Sequence, residues 1–589
     1  MFFLTYAVAI LFLYPRANDV MATKSKKSVP WPPVVQTDRG LFHKSIYNGT
    51  DNLWYYRFNS IKYGRVVNRF AAPVPICSRS YKSCHRANPL VSKAKPSADP
   101  IMDDLKCPQA TPRWAVPSTS SRAKRDIGIR SELIQVPENE VEDCLFLDVV
   151  VPKKVWEQSE AHPERGHAPV LIWIHNGGFT AGDKSLQKDP SLLLRRGLQL
   201  HEGGMVIVSI SYRLGLFGFL SGSKGLESNV GLLDQRMALG WVQNHIEKFG
   251  GDRFRVTVVG EGAGAGSIMH HLTAPNISQH FFPDLQSPHH HHRRFPFRSA
   301  ILQSPTFQPL TSSQSKANLD YVLTETSRIA GYKVDHIDQL HKLPFEVLYA
   351  VNTAIVDNSP YGTYTFGPVV NYAEDDKSYV PDFPLRRLHL GIMAKDVNLL
   401  VGQRRNEGQF LTPSTMATDT GFKAHLSRIF STAAARDIDY ISESVYPSSD
   451  YETIDDGGMN RSIEAIGDIF TGCNVYYLLN TSQKSFGYLL EVNERSREQL
   501  LENVLVSGSP VVSSISTIKH LYEGFQDKLI KFGMFALVGV KLTALKQYRD
   551  HGEVLLVSDK GFDSYINDPT AKHQCQYWAE APYENIFSD

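Results

Sequence analysis

The sequence has no run of about twenty consecutive apolar residues, the length that a membrane-crossing helix requires. Its best candidates are short: Phe2 to Tyr14 at the start and Phe532 to Val540 near the end. There is no excess of charge of either sign, because 62 Lys and Arg stand against 61 Asp and Glu and leave a net +1. A balance that even gives no global attraction to nucleic acid or a membrane surface, so an electrostatic partner must meet a local patch. No internal repeat is present, and cysteine is scarce, at six residues. The remainder, 42% hydrophobic and 21% charged, is ordinary for a globular protein.

Phe2 to Tyr14, followed by Pro15 and Arg16 and by the small-residue step Val20-Met21-Ala22, reads as a secretory signal peptide over residues 1–22 whose n-region lacks a basic residue. The expectation is a secreted, extracellular protein, with residues 23–589 forming one large α/β domain. Six cysteines suit an oxidising compartment, but six allow fifteen pairings and spacing alone does not choose. Asn-x-Ser/Thr sequons at Asn48, Asn276, Asn460 and Asn480 agree with secretion.

Apolar β-branched runs at Leu145 to Val151, Val170 to Ile174, Met205 to Ile210, Ser299 to Gln303, Asn398 to Gly402 and Glu553 to Val557 predict buried strands. Leu232 to Phe249 predicts an amphipathic helix, with Leu233, Met237 and Trp241 spaced by four and Gly250-Gly251 as its stop. Strands alternating with helices in this way predict a large, mostly parallel sheet covered on both faces. Between 78 and 125 the composition turns to Ser, Pro, Lys and Arg, and a second polar stretch falls at 279–296; both read as exposed insertions.

The most informative stretch is Val256-Thr-Val-Val-Gly-Glu-Gly-Ala-Gly-Ala-Gly-Ser267, a buried strand that turns sharply into a helix. Its frame Gly260-Glu261-Gly262-Ala263-Gly264 matches the G-x-S-x-G elbow of an esterase at the outer glycines, with glycine at the nucleophile position. The small residues also suit a helix packed closely on a sheet. A phosphate loop is argued against by the missing Lys-Ser/Thr and by the lack of an acidic residue placed for a dinucleotide ribose.

Four motifs in order carry a resemblance: Glu142-Asp-Cys-Leu-Phe-Leu-Asp148, Trp173-Ile-His-Asn-Gly-Gly-Phe179, Asn229-Val-Gly-Leu-Leu-Asp-Gln235 and the elbow. Together the chain resembles the type B carboxylesterase and cholinesterase family, from about Val34 to Trp578. The resemblance implies the α/β-hydrolase fold, disulfides Cys107 to Cys144 and Cys473 to Cys575, and by remainder a local Cys77 to Cys84 loop. It implies oxyanion donors at Gly177, Gly178 and Ala263, with Asn176 where the family usually has another glycine, and Glu407 as the triad acid. The histidine motif expected between Tyr476-Tyr477 and Phe535 to Gly539 is missing; Gly487 to Pro510 contains no histidine, and His520 stands in an unmatched frame.

With Gly262 in place of serine and no matched histidine, the expectation is a catalytically inactive member, a pseudoenzyme. The resemblance narrows further to the non-catalytic neuroligin, neurotactin and glutactin group, which implies extracellular protein binding, cell adhesion or a matrix role, and a homodimer through helices near the C-terminus. Two alternatives stand beside it: a carrier of a small apolar ester or lipid, and a weak carboxylic ester hydrolase with a non-standard site. No cofactor and no metal are expected. Basic clusters at Arg79 to Lys95, at Arg122-Ala-Lys-Arg125, which resembles a convertase cleavage sequence, and at His289 to Arg294 suggest a glycosaminoglycan partner or merely soluble loops. The four histidines at 289–292 lack a completing cysteine or carboxylate cluster and read as a polar loop.

Overall fold

The computed structural model describes residues 33–37, 42–50, 53–76, 105–116, 136–162, 167–185, 190–275, 295–371, 378–451, 458–491, 516–535 and 545–581. The signal segment, Cys77 and Cys84, Arg122 to Arg125, Asn276 and the histidine run lie outside these residues.

Eleven strands form one sheet. In chain order they are β1 (Ile46–Thr50), β2 (Leu53–Lys62), β3 (Phe146–Pro152), β4 (Ala168–Ile174), β5 (Val206–Ile210), β6 (Gly251–Glu261), β7 (Ser299–Gln303), β8 (Asn398–Arg404), β9 (Ser485–Glu491), β10 (Glu553–Ser558) and β11 (Gly561–Asn567). Their order across the sheet is β11-β10-β9-β8-β7-β6-β4-β5-β3-β2-β1. From β5 to β10 every neighbouring pair is parallel, and antiparallel pairs close both ends. This is the large, mostly parallel sheet that the alternation of elements predicts, in the α/β-hydrolase architecture that the resemblance implies.

Alternation along each strand sends successive side chains to opposite faces. Ile172, Val258, Leu302 and Val401 enter one core with the helices α2 (Val230–His245), α3 (Ala263–Thr273) and α4 (Cys473–Thr481). Leu171, Val259, Ile301 and Leu400 enter the other with Leu193 and Leu194 of α1 (Ser191–Leu200) and with Phe525, Leu529 and Phe532 of α5 (Ser516–Phe535). Each fully buried aliphatic side chain contributes roughly 1.5–3 kcal/mol. The two faces share the strands, so the strands are apolar for most of their length; β3 to β5 are buried at every position, and the charge of Asp148 in β3 is answered by Arg57 and Lys184.

The predicted strands all form, within two residues of their expected ends except β6, which starts five residues before Val256. The predicted helix is α2 with a 3-10 turn, Ile246–Phe249, before Gly250 at φ +79°. Two expectations need correction. Residues 105–116, inside the stretch read as an exposed insertion, pack on the body: Cys107 and Ala110 are buried, and the Lys106 and Ala110 amides donate to Asn139 and Thr180. The other is an omission: Ser485–Glu491 forms the interior strand β9, where no strand was expected. Disulfides join Cys107 to Cys144 and Cys473 to Cys575. Of the sequons, Asn48 lies in β1, and Asn460 and Asn480 are exposed on helices.

Candidate active site

Parallel strands in register bring their C-terminal ends to one edge, which is where sites form in this architecture. Ile174 pairs with Gly260, Glu261 with Gln303, and Gln303 with Gly402. The loops leaving β4, β6, β7 and β8 therefore meet there, and they carry Asn176, Gly262, Ser304 and Glu407.

Gly262 joins β6 to α3 at φ +51° and ψ −117°, a conformation that costs a side-chain-bearing residue ~1–3 kcal/mol. Its amide donates to the Gln303 carbonyl at 2.9 Å, and its own carbonyl accepts from Thr306 at 3.1 Å. The elbow is thus held on both sides in the geometry of a nucleophile turn, with no nucleophile on it. Gly264 shows why the small residues continue: a Cβ there would lie 2.2 Å from the Ile174 carbonyl oxygen, so α3 sits hard against β4. Both readings of the glycine run hold at different positions.

The oxyanion loop follows β4. The Gly177 amide donates to Asn176 Oδ1 at 2.7 Å, and the Ala263 amide donates to the same oxygen at 3.0 Å. Gly178 lies at φ +62° beneath the Tyr364 ring, which a Cβ would meet at 2.1 Å. Behind the loop, His175 stacks on Tyr212 with ring centroids 4.3 Å apart, and its Nδ1 bonds the Asn176 carbonyl at 2.9 Å. Burial pushes His175 down to about 4, so the imidazole is neutral at physiological pH.

Glu407 opens a 3-10 turn after β8 and is half-buried. Its Oε1 accepts from Ser304 Oγ at 2.6 Å and from the Arg404 amide at 2.7 Å. The Arg404 guanidinium lies 4.0 Å from Glu261, and that of Arg405 pairs with Glu491 at 2.6 Å. Ser304 is the site residue that sequence reading missed; its φ of +47° directly after β7 has no composition signal.

Ser267 does not replace the nucleophile: it is buried a turn inside α3, donates to the Ala263 carbonyl at 2.9 Å and accepts from Gln235 at 3.0 Å. His520 lies within α5, far along the chain from the end of β9, and no histidine occurs between 492 and 519. Among the described residues, Asp468 beside Cys473 and Cys575 has the spacing of metal ligands, but both sulfurs are in the disulfide.

An eleven-stranded, mostly parallel sheet with a sharp strand-to-helix elbow at the C-terminal edge of its strands defines the α/β-hydrolase fold. The chain belongs to the Carboxylesterase family, whose model matches residues 32–504. It is 29% identical over 608 aligned residues to carboxylesterase patB of Aspergillus clavatus, covering 98% of this chain and 100% of that one. With carboxylesterase patB of Penicillium expansum it shares 32% identity, over 75% and 76% of the two chains. Among solved structures, EstA of Aspergillus niger superimposes with a TM-score of 0.67 at 20% identity, over 93% of this chain and 97% of that one, which shows the fold.

These matches overturn the expectation of an inactive adhesion or matrix protein. The relatives that align over the full length, or over three quarters of it, bear the names of carboxylesterases, and shorter matches include a phenmedipham hydrolase and a fumonisin B1 esterase. The empty elbow alone does not separate an adhesion protein from an esterase relative, because both inherit the same sheet edge.

Proposed function

We propose that this chain takes carboxylic esters at the Gly262 elbow and hydrolyses them slowly, with water as the nucleophile in place of serine. The observation that carries the reading is the convergence of the Gly177 and Ala263 amides on a single carbonyl oxygen, at 2.7 and 3.0 Å. Two preorganised donors at that distance stabilise the oxyanion that develops when water adds to an ester carbonyl. In serine hydrolases stripped of their triad, the hole and binding alone leave ~10³–10⁴ over water. A rate of that order is what this site supplies: water adds to the carbonyl carbon, its proton passes to solvent, and the intermediate breaks the C–O bond to expel an alkoxide that takes a proton from solvent and leaves the acid.

The full-length carboxylesterase relatives support the ester class. The signal-like start, the sequons and the two disulfides support secretion.

The test is hydrolysis of p-nitrophenyl butyrate by the full chain, with and without an organophosphate. Saturable turnover that continues without stoichiometric organophosphate labelling is expected. Hydrolysis indistinguishable from buffer overturns the reading and leaves ligand carriage at the same edge as its replacement.

A further inference from the structure

We infer that the Asn176 side chain is a built-in ligand of the oxyanion hole, standing where the ester carbonyl belongs, and that an incoming ester must displace it. The inference rests on the ester-site reading above and concerns how that site is controlled.

Three observations carry it. Asn176 Oδ1 is a carboxamide oxygen, chemically close to an ester carbonyl, and it takes one donor from each side of the hole: Gly177 at 2.7 Å and Ala263 at 3.0 Å. The same side chain fills the space a nucleophile would need, since a Cβ on Gly262 would lie 2.4 Å from Oδ1 and 2.7 Å from Cγ and Nδ2. Asn176 and Gly262 are therefore a steric pair, and serine at 262 and asparagine at 176 in this rotamer exclude each other. Finally, Asn176 is exposed at the mouth of the site, while its backbone is fixed from behind by His175, whose own carbonyl accepts from Tyr212 Oη at 3.0 Å. Release needs only a side-chain rotation into solvent and leaves the loop in place.

An internal competitor for the ground-state carbonyl raises KM and weakens any carboxylate that binds the hole. Asn176→Gly removes it. The expected result is a fall in KM, a rise in kcat/KM of about tenfold for p-nitrophenyl butyrate and a similar tightening of butyrate measured by calorimetry, from the loss of two competing hydrogen bonds. Asn176→Asp, of the same shape, places a carboxylate on the two donors and closes the hole more firmly. It is expected to lower kcat/KM at neutral pH and to weaken butyrate.

If Asn176→Gly leaves KM and butyrate affinity unchanged or worse, or if Asn176→Asp behaves like Asn176→Gly, the inference is overturned, whatever the turnover of the unmodified chain. If no variant hydrolyses ester but butyrate tightens in Asn176→Gly and weakens in Asn176→Asp, the hole ligand stands and the hydrolase reading falls.

Discussion

Gly262 and Asn176 are understood only together. Either residue looks like a simple loss: a glycine without an oxygen, and an asparagine in a glycine loop. Their atoms show an exchange of volume instead, because the carboxamide occupies the position that the elbow residue gave up. Gly262→Ser is therefore expected to destabilise the fold by ~1–3 kcal/mol from the positive φ, with little added by Asn176, whose exposed side chain rotates into solvent. Urea denaturation of Gly262→Ser, of Asn176→Gly and of the double variant measures the coupling between the two positions, which should be small beside the strain. A coupling larger than the strain would show that Asn176 does not rotate away. Ser304 is the second residue whose role is local: its hydroxyl completes the acceptor side of Glu407. Ser304→Ala is expected to cost ~1–2 kcal/mol, the loss of a hydrogen bond to a charged group, again read from the urea midpoint.

At the scale of elements, the strands from β3 to β8 are legible because both faces of the sheet are covered and most of their buried side chains are apolar. β9 was not, since Ser485-Phe-Gly-Tyr-Leu-Leu-Glu491 is short and runs into a polar stretch without a turn signal. Helix α2 is joined to the segment after β5 by an ion pair that no periodicity indicates: Arg213 Nη2 and Nε bond Asp234 at 2.7 and 2.8 Å, with both side chains buried. Removing one partner leaves a buried charge unanswered, so Asp234→Ala is expected to lose ~3–5 kcal/mol. Loss of less than about 1 kcal/mol in thermal or chemical unfolding would show that the pair behaves like an exposed one.

Across the whole molecule, buried histidines make stability depend on acidity. Burial pushes His175 and His270 down to about 4, and it pushes His271, further repelled by Arg236, well below its ordinary value. In the unfolded chain these rings bind a proton near pH 6.5, while in the folded protein they stay neutral to pH 4 or lower. The unfolded state therefore binds more protons in that window, and stability falls as pH drops from about 6.5 to 4, by ~2–3 kcal/mol for each ring near 4. The melting temperature should decline over this range. His270→Leu, which gives up a bond to the Gly266 carbonyl at 2.7 Å and an edge-on ring contact with Phe307, should flatten the decline. A variant with the slope of the parent would show that His270 already carries a proton when folded.

By itself the sequence determined seven strands of the sheet, the helix α2 and the glycine at the elbow, and the family resemblance supplied the pairs Cys107 to Cys144 and Cys473 to Cys575. These follow from periodicity, from backbone chemistry and from motifs that stay contiguous in the chain. The function class was misjudged from the same residues, because a missing nucleophile stands out in one motif while the kinship with carboxylesterases is spread over the whole length of the chain. Only the tertiary structure decided that Ser304 answers Glu407, that residues 105–116 pack on the body, and that the Asn176 side chain accepts from both the Gly177 and Ala263 amides. Each of those contacts joins loops from different strands, and the distance between them is set by strand register, a property that no local pattern of residues contains.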